Sequence, residues 1–118
     1  ITGTHNHDIL TYGMTWYGST NAGGAFTFNI RGNSTTTFDS LSTVGKVTTI
    51  TLLSANNNAS NYMSAFQIDG VSQTIKWANA TAPSAATGSG TDVYTITILK
   101  TAANPFPISI TPAFSPGP

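Results

Sequence analysis

Cysteine is absent, and so is glutamate: the four acidic residues are Asp8, Asp39, Asp69 and Asp92. Without cysteine no disulfide staples the fold, and thiolate chemistry is excluded. Charge of either sign is scarce. Charged residues make up 7% of the chain, against about a quarter in an average soluble domain. The bases are Arg31, Lys46, Lys76 and Lys100, so the net charge is zero. No basic face draws the chain to nucleic acid or to an anionic membrane. No apolar run reaches the ~18 residues of a membrane-spanning helix. No charged-then-apolar leader is visible at Ile1, and the chain reads as a processed product or a piece of a longer polypeptide. What is plentiful is Thr, Ser, Asn and Gly. Such a surface is either covered by neighbouring subunits or works outside the cytoplasm. Apolar residues still make up 39% of the 118 positions, enough for one domain with a modest core. A small domain without staples often gains stability by oligomerising.

Period-two alternation dominates the pattern. In 25–31, Phe26, Phe28 and Ile30 share one face, and Thr27, Asn29 and Arg31 the other, which predicts a half-buried strand. In 46–54, Ile50 and Leu52 share a face. In 63–69, Phe66 and Ile68 oppose Met63, Ala65 and Gln67. In 73–77, Ile75 and Trp77 go together. The strongest run is 92–100, with Tyr94, Ile96 and Ile98 against Val93, Thr95, Thr97 and Leu99. A weaker strand is expected over 9–17, bulged at Gly13. Turns are expected at 21–24, at Asp69-Gly70 as a tight hairpin, and over 56–61, with a longer loop over 83–91. Phe38, Leu41 and Val44, with Thr37 before and Gly45 after, fit one or two helical turns. Residues 102–118 hold five of the six prolines. That tail should be extended and poorly able to join a central strand, with Ile108 and Ile110 lining an edge. The expected fold is all-β: an antiparallel sandwich or small barrel with one short helical turn. Residues 1–24 form an N-terminal arm and first strand, 25–101 the core domain, and 102–118 the tail.

Little in the chain can do chemistry. A glycosidase needs two facing carboxylates, but Asp69 sits at a turn and Asp92 at a strand start. Ser is abundant, yet both His lie at the N-terminus and no GxSxG is present. Gly88-Ser-Gly90 lacks the Lys of a phosphate loop. No enzymatic activity is expected. The metal-like cluster is His5-Asn6-His7-Asp8. In an extended chain His5 and His7 point to the same side. Three copies around an axis would supply six imidazoles, an octahedral set for iron or a similar ion such as zinc; the bland alternative is two polar residues on an arm. Some phage tail spikes and long tail fibres resemble this arrangement, with His-x-His on three chains. Sequons begin at Asn33, Asn58 and Asn79, as composition alone would produce. Trp16, Tyr17 and Tyr62 are candidate ligand or interface residues, able to stack on sugar rings if exposed. Trp16 and Tyr17 are adjacent and must face opposite sides. Trp77, in phase with Ile75, is expected in the core.

Several blocks occur in a recognisable order: FTFNIRGNSTTTFDSL, STVGK at 42–46, VTTITLL, SAFQIDG, QTIKW, Ala82-Pro83 and DVYTITILKT. Over 26–101 the chain resembles a small structural domain of tailed-bacteriophage virion proteins, notably in phages of cyanobacteria and other marine bacteria. The resemblance implies a tail fibre, an appendage or a capsid decoration on the virion surface, outside the cell. It implies no catalytic residues. It departs at the C-terminus, where Asn104-Pro-Phe-Pro107 interrupts the strand that follows Lys-Thr in the family. The expected partners are copies of the chain, as a homotrimer, other virion proteins and a host surface glycan. The loop 78–91 is the expected contact region.

Overall fold

The computed structural model describes residues 3–18, 24–77, 85, 90–102 and 106–114. Nine strands and two single helical turns are seen among them. In chain order they are β1 (Thr4–Asp8), α1 (Ile9–Tyr12), β2 (Thr15–Gly18), β3 (Phe26–Arg31), α2 (Phe38–Leu41), β4 (Val47–Asn56), β5 (Met63–Ile68), β6 (Val71–Ser72), β7 (Ile75–Trp77), β8 (Gly90–Leu99) and β9 (Ile108–Phe114). They make two sheets, one ordered β1-β3-β5-β6 and the other β2-β4-β8-β9-β7.

The first five strands alternate between the sheets. β1, β3 and β5 lie parallel in the first sheet, and β2 and β4 lie parallel in the second. The chain thus winds as a flat coil, and each crossover between parallel neighbours is a strand of the opposite sheet. After β5 it changes habit. Asp69 and Gly70 have φ of 52° and 80°, the paired positive values of a two-residue hairpin turn. They reverse the chain into β6, which is antiparallel to β5. β8 then lies antiparallel to both β4 and β9.

The sheets are therefore mixed, not antiparallel, and form a sandwich-like pair with no closed barrel among the described strands. The sequence could not show this, because side chains alternate with the same period whichever way the neighbouring strand runs. Two further expectations are corrected. Residues 9–17 are not one strand. Ile9–Tyr12 form a helical turn that ends at Gly13, whose φ of 69° and ψ of −149° suit a residue without Cβ. The predicted turn at Phe38 forms, with the Thr37 side chain accepting from the Ser40 N–H, but it stops at Leu41 and leaves Val44 exposed.

The proline-rich tail also behaves differently from expectation. β9 lies inside the second sheet, between β8 and β7. Phe106, between the prolines, is buried, and its N–H donates to Gln73 Oε1 at 3.0 Å. Proline is tolerated because β7 pairs only with Ile108, Ser109 and Ile110, and Pro112 lies past that stretch.

The core fills the space between the sheets. Phe26, Phe28, Ile30, Phe66 and Ile68 meet Ile50, Leu52, Tyr94, Ile96 and Ile110, all buried. Each such side chain contributes about 1.5–3 kcal/mol relative to exposure. Met63 joins them although alternation sets it opposite Phe66. The register shifts at this point: Phe26 pairs with Met63 but Thr27 with Ala65, leaving Ser64 as a bulge. Tyr94 ties the layers together, its hydroxyl accepting from the Met63 N–H at 3.0 Å. Burial raises the pKa of this phenol to about 12. Trp77 is partly buried and packs against the core. The loop 83–91 and the turn 21–24 lie largely outside the described residues.

Candidate functional site

The two histidines extend the apolar face of β3. In the β1–β3 register His5 lies beside Phe28 and His7 beside Ile30, so both rings turn into the sandwich. His5 stacks on Trp16 at 3.9 Å between ring centroids, and also on Phe28 at 5.5 Å. His7 is fully buried, and its Nε2–H donates to the Gly13 carbonyl at 2.8 Å. That bond leaves the lone pair on Nδ1. His7 Nδ1 and His5 Nε2 have no hydrogen-bond partner among the described residues. Burial lowers both pKa values, that of His5 to about 4. A six-imidazole axial site needs rings that face outward, and these face inward. Among the described residues no group of three His, Cys, Asp or Glu could hold a metal ion.

The candidate aromatics separate. Trp16 is half-buried over His5, whereas Tyr17 is exposed, as adjacent strand residues require. Tyr62 is half-buried just before β5. No ring contact joins Trp16 or Tyr17 to Tyr62 among the described residues.

Asp39 and Asp69 have structural partners around α2. The Asp69 carboxylate accepts from the backbone N–H of Phe38 at 2.6 Å and of Asp39 at 3.1 Å. Lys100 Nζ donates to the carbonyls of Asp39 at 2.8 Å and Ser42 at 2.7 Å, and pairs with the Asp39 carboxylate at 2.9 Å. A four-residue helical turn is thus clamped at both ends by charged side chains distant in sequence, Asp69 from the β5–β6 turn and Lys100 from just past β8. Asp92 is buried at the start of β8, opposite Ser54.

The outer face of the second sheet is unusual for what it omits. Its rows read Tyr17–Leu53–Val93, Thr15–Thr51–Thr95–Thr111, and Thr49–Thr97–Ser109–Lys76, with Val47 opposite Leu99. Lys76, on the edge strand β7, is the one charged residue in these rows. A solvated sheet face ordinarily carries Lys, Glu and Arg. At the Val47 end, Ile75, Leu99, Pro107 and Ile108 line a groove of about 600 Å³.

The first sheet differs. Its outer face carries Asn6 beside Asn29 and Asp8 beside Arg31. Arg31 Nε donates to Asp8 Oδ1 at 2.5 Å, a bond that raises the pKa of the guanidinium. A polar cavity of about 380 Å³ opens there under the loop 33–37. The loop can fold back this closely because residue 32 is glycine: a Cβ there would meet the Thr36 carbonyl oxygen at 2.7 Å. Sequence reasoning missed this cavity, since its residues come together only through the parallel register of β1 on β3. No protein-family model, curated protein or solved structure matches this chain.

Proposed function

We propose that this chain is a non-enzymatic structural domain on the outer surface of a tailed-phage virion, working by homotrimeric assembly. The observation that carries the assembly reading is the outer face of the second sheet, whose rows carry a single charged residue, Lys76 on the edge strand. Five strands at about 4.8 Å spacing and about seven residues of rise give a flat area of roughly 600 Å². That approaches the ~800 Å² each partner contributes to a standard stable interface. The threonine hydroxyls need hydrogen-bond partners across such a contact, but apart from Lys76 at the edge no charge has to be desolvated. The ordered sequence blocks over 26–101 support the virion assignment. The partners on this reading are copies of the chain and other virion proteins.

Sedimentation velocity tests the proposal. The wild-type chain should run as a trimer at micromolar concentration. A Thr49→Lys, Thr97→Lys double variant puts two cations on solvent-facing positions of β4 and β8 without entering the core. It should fold, by circular dichroism, and sediment as a monomer. A monomeric wild type would remove the proposal, as would a trimer indifferent to the two lysines.

A further inference from the structure

The outer face of the second sheet differs between its two sides. β2 forms one edge and β7 the other. At the β2 edge stands Tyr17, 53% exposed, the one aromatic side chain in the outward rows among the described residues. Leu10, Tyr12 and Met14, just ahead of β2, are exposed as well. Toward the β7 edge the face is hollow instead. Val47, Leu99 and Pro107 line the groove of about 600 Å³, together with Lys76. Lys76 is exposed there and has no ion-pair partner among the described residues.

Symmetry gives this difference a use. One patch meeting itself makes a two-fold pair. A closed ring of three copies needs two different patches on each copy, each used once. With three such faces turned toward a common axis, the β2 edge of one copy lies beside the β7 edge of the next. Tyr17 stands beside Leu53, whereas Lys76 shares a row with Ser109, Thr97 and Thr49. From Leu53 to Thr49 is four residues along β4, and from β2 to β7 is four strands across the sheet. At about 3.4 Å per residue and about 4.8 Å per strand, the two come level when the strands tilt about 35° to the axis, a tilt found in sheets that close on themselves.

Resting on the assembly reading above, we propose that the groove of each copy receives Tyr17 of its neighbour, with the Lys76 ammonium over the ring. The apolar body of the ring fills the apolar groove. Its π face takes the single cation that the contact would otherwise strip of water. The phenol hydroxyl meets the hydroxyls of Thr97 and Ser109, which also line the groove. A free apolar molecule would match the walls but leave Lys76 unpaired. An apolar anion would pair with Lys76 but leave Tyr17 and its apolar neighbours exposed.

The chain has no cysteine, so thiol cross-linking reads the contact without background. Thr15 and Ser109 are exposed beside Tyr17 and Lys76, and changing them leaves the proposed pair in place. A Thr15→Cys, Ser109→Cys double variant treated with a short bis-maleimide should give covalent trimers. Each single variant should give no product, and a mixture of the two should stop at dimers. Dimers from either single variant would mean that the face meets itself, and would overturn the proposal. So would a double variant that sediments as a trimer but does not cross-link. Tyr17→Ser should raise the concentration for half-assembly at least about ten-fold with circular dichroism unchanged, and Tyr17→Phe much less. A trimer indifferent to Tyr17→Ser would overturn it. Stoichiometric uptake of the apolar dye ANS by the wild-type trimer, lost in Leu99→Lys, would leave the groove to a free ligand and overturn it too. A monomeric wild type removes the assembly reading itself, whereas a wild-type trimer that fails these tests removes this contact alone.

Discussion

Replacing Asp69 probes the join between the two sheets through α2, and three substitutions separate its two roles. The first role is the fork, in which two carboxylate oxygens hold the N–H groups of Phe38 and Asp39. Bonds to charged groups contribute about 1.5–3 kcal/mol each. Asp69 is half-exposed, so the lower end applies, and the pair is worth about 3 kcal/mol. The second role is conformational. Asp69 has φ of 52°, which costs alanine about 1 kcal/mol and costs glycine almost nothing. Asp69→Ala should therefore lose about 4 kcal/mol and Asp69→Gly about 3 kcal/mol. Asp69→Asn keeps one acceptor and tolerates the left-handed backbone, so it should lose about 1–1.5 kcal/mol. For a chain of this size the alanine variant should melt about 15 °C lower. Urea unfolding followed by tryptophan fluorescence measures all three, with Trp16 and Trp77 reporting from different sheet edges. An alanine variant within about 0.5 kcal/mol of wild type would refute the fork. An asparagine variant as damaged as alanine would refute the division between the two roles.

Acid should weaken the fold through the buried histidines. The His5 pKa is held near 4, below its ordinary 6.5, so the neutral ring favours the native state above pH 6.5. That advantage is lost as the pH falls from 6.5 toward 4, by about 1 kcal/mol at pH 5 after allowing for partial solvation of the ring. His7 acts in the same direction. The urea midpoint should drop between pH 7 and pH 5, and His5→Phe with His7→Gln should flatten the dependence. A midpoint that holds or rises in the wild type would contradict this account. Tyr94→Phe removes the acceptor of the buried Met63 N–H, and should cost about 1–3 kcal/mol. Hydrogen exchange should then show the Met63 amide losing protection; unchanged protection would mean the bond does not hold the layers together.

The strands read over 25–31, 46–54 and 92–100 were legible because most of their inward residues are large and apolar, although Thr48, Ser54 and Asp92 also point inward. Asp69-Gly70 was legible because few other dipeptides accept two positive φ values. Strand direction was not legible, and the helical turn at Ile9 was hidden. Residues 9–17 read as one strand bulged at Gly13, when that glycine with positive φ actually redirects the chain between sheets. His5 and His7 were seen as a pair on one side, but whether that side faces solvent or Phe28 depends on the partner strand. The cavity was invisible for the same reason: Asn6 and Asn29 meet across 23 residues of chain. Pro112 suggested an edge, and it was the short length of β7 that let an inner strand carry it.

The alternating winding has a kinetic consequence. Thr27 pairs with Thr4 on one side and Ala65 on the other, 23 and 38 residues away, and Thr15 pairs with Thr51, 36 residues away. None of these ladders can begin as a hairpin. Each must close a long loop before its first bond forms, so their assembly is slow compared with the local β5–β6 turn. A chain emerging N-terminus first would make β1 and β2 early but leave them unpaired until β3 and β4 arrive. During that interval the apolar residues from Ile9 to Tyr17 have no cover, and early association between nascent copies is where misassembly would start.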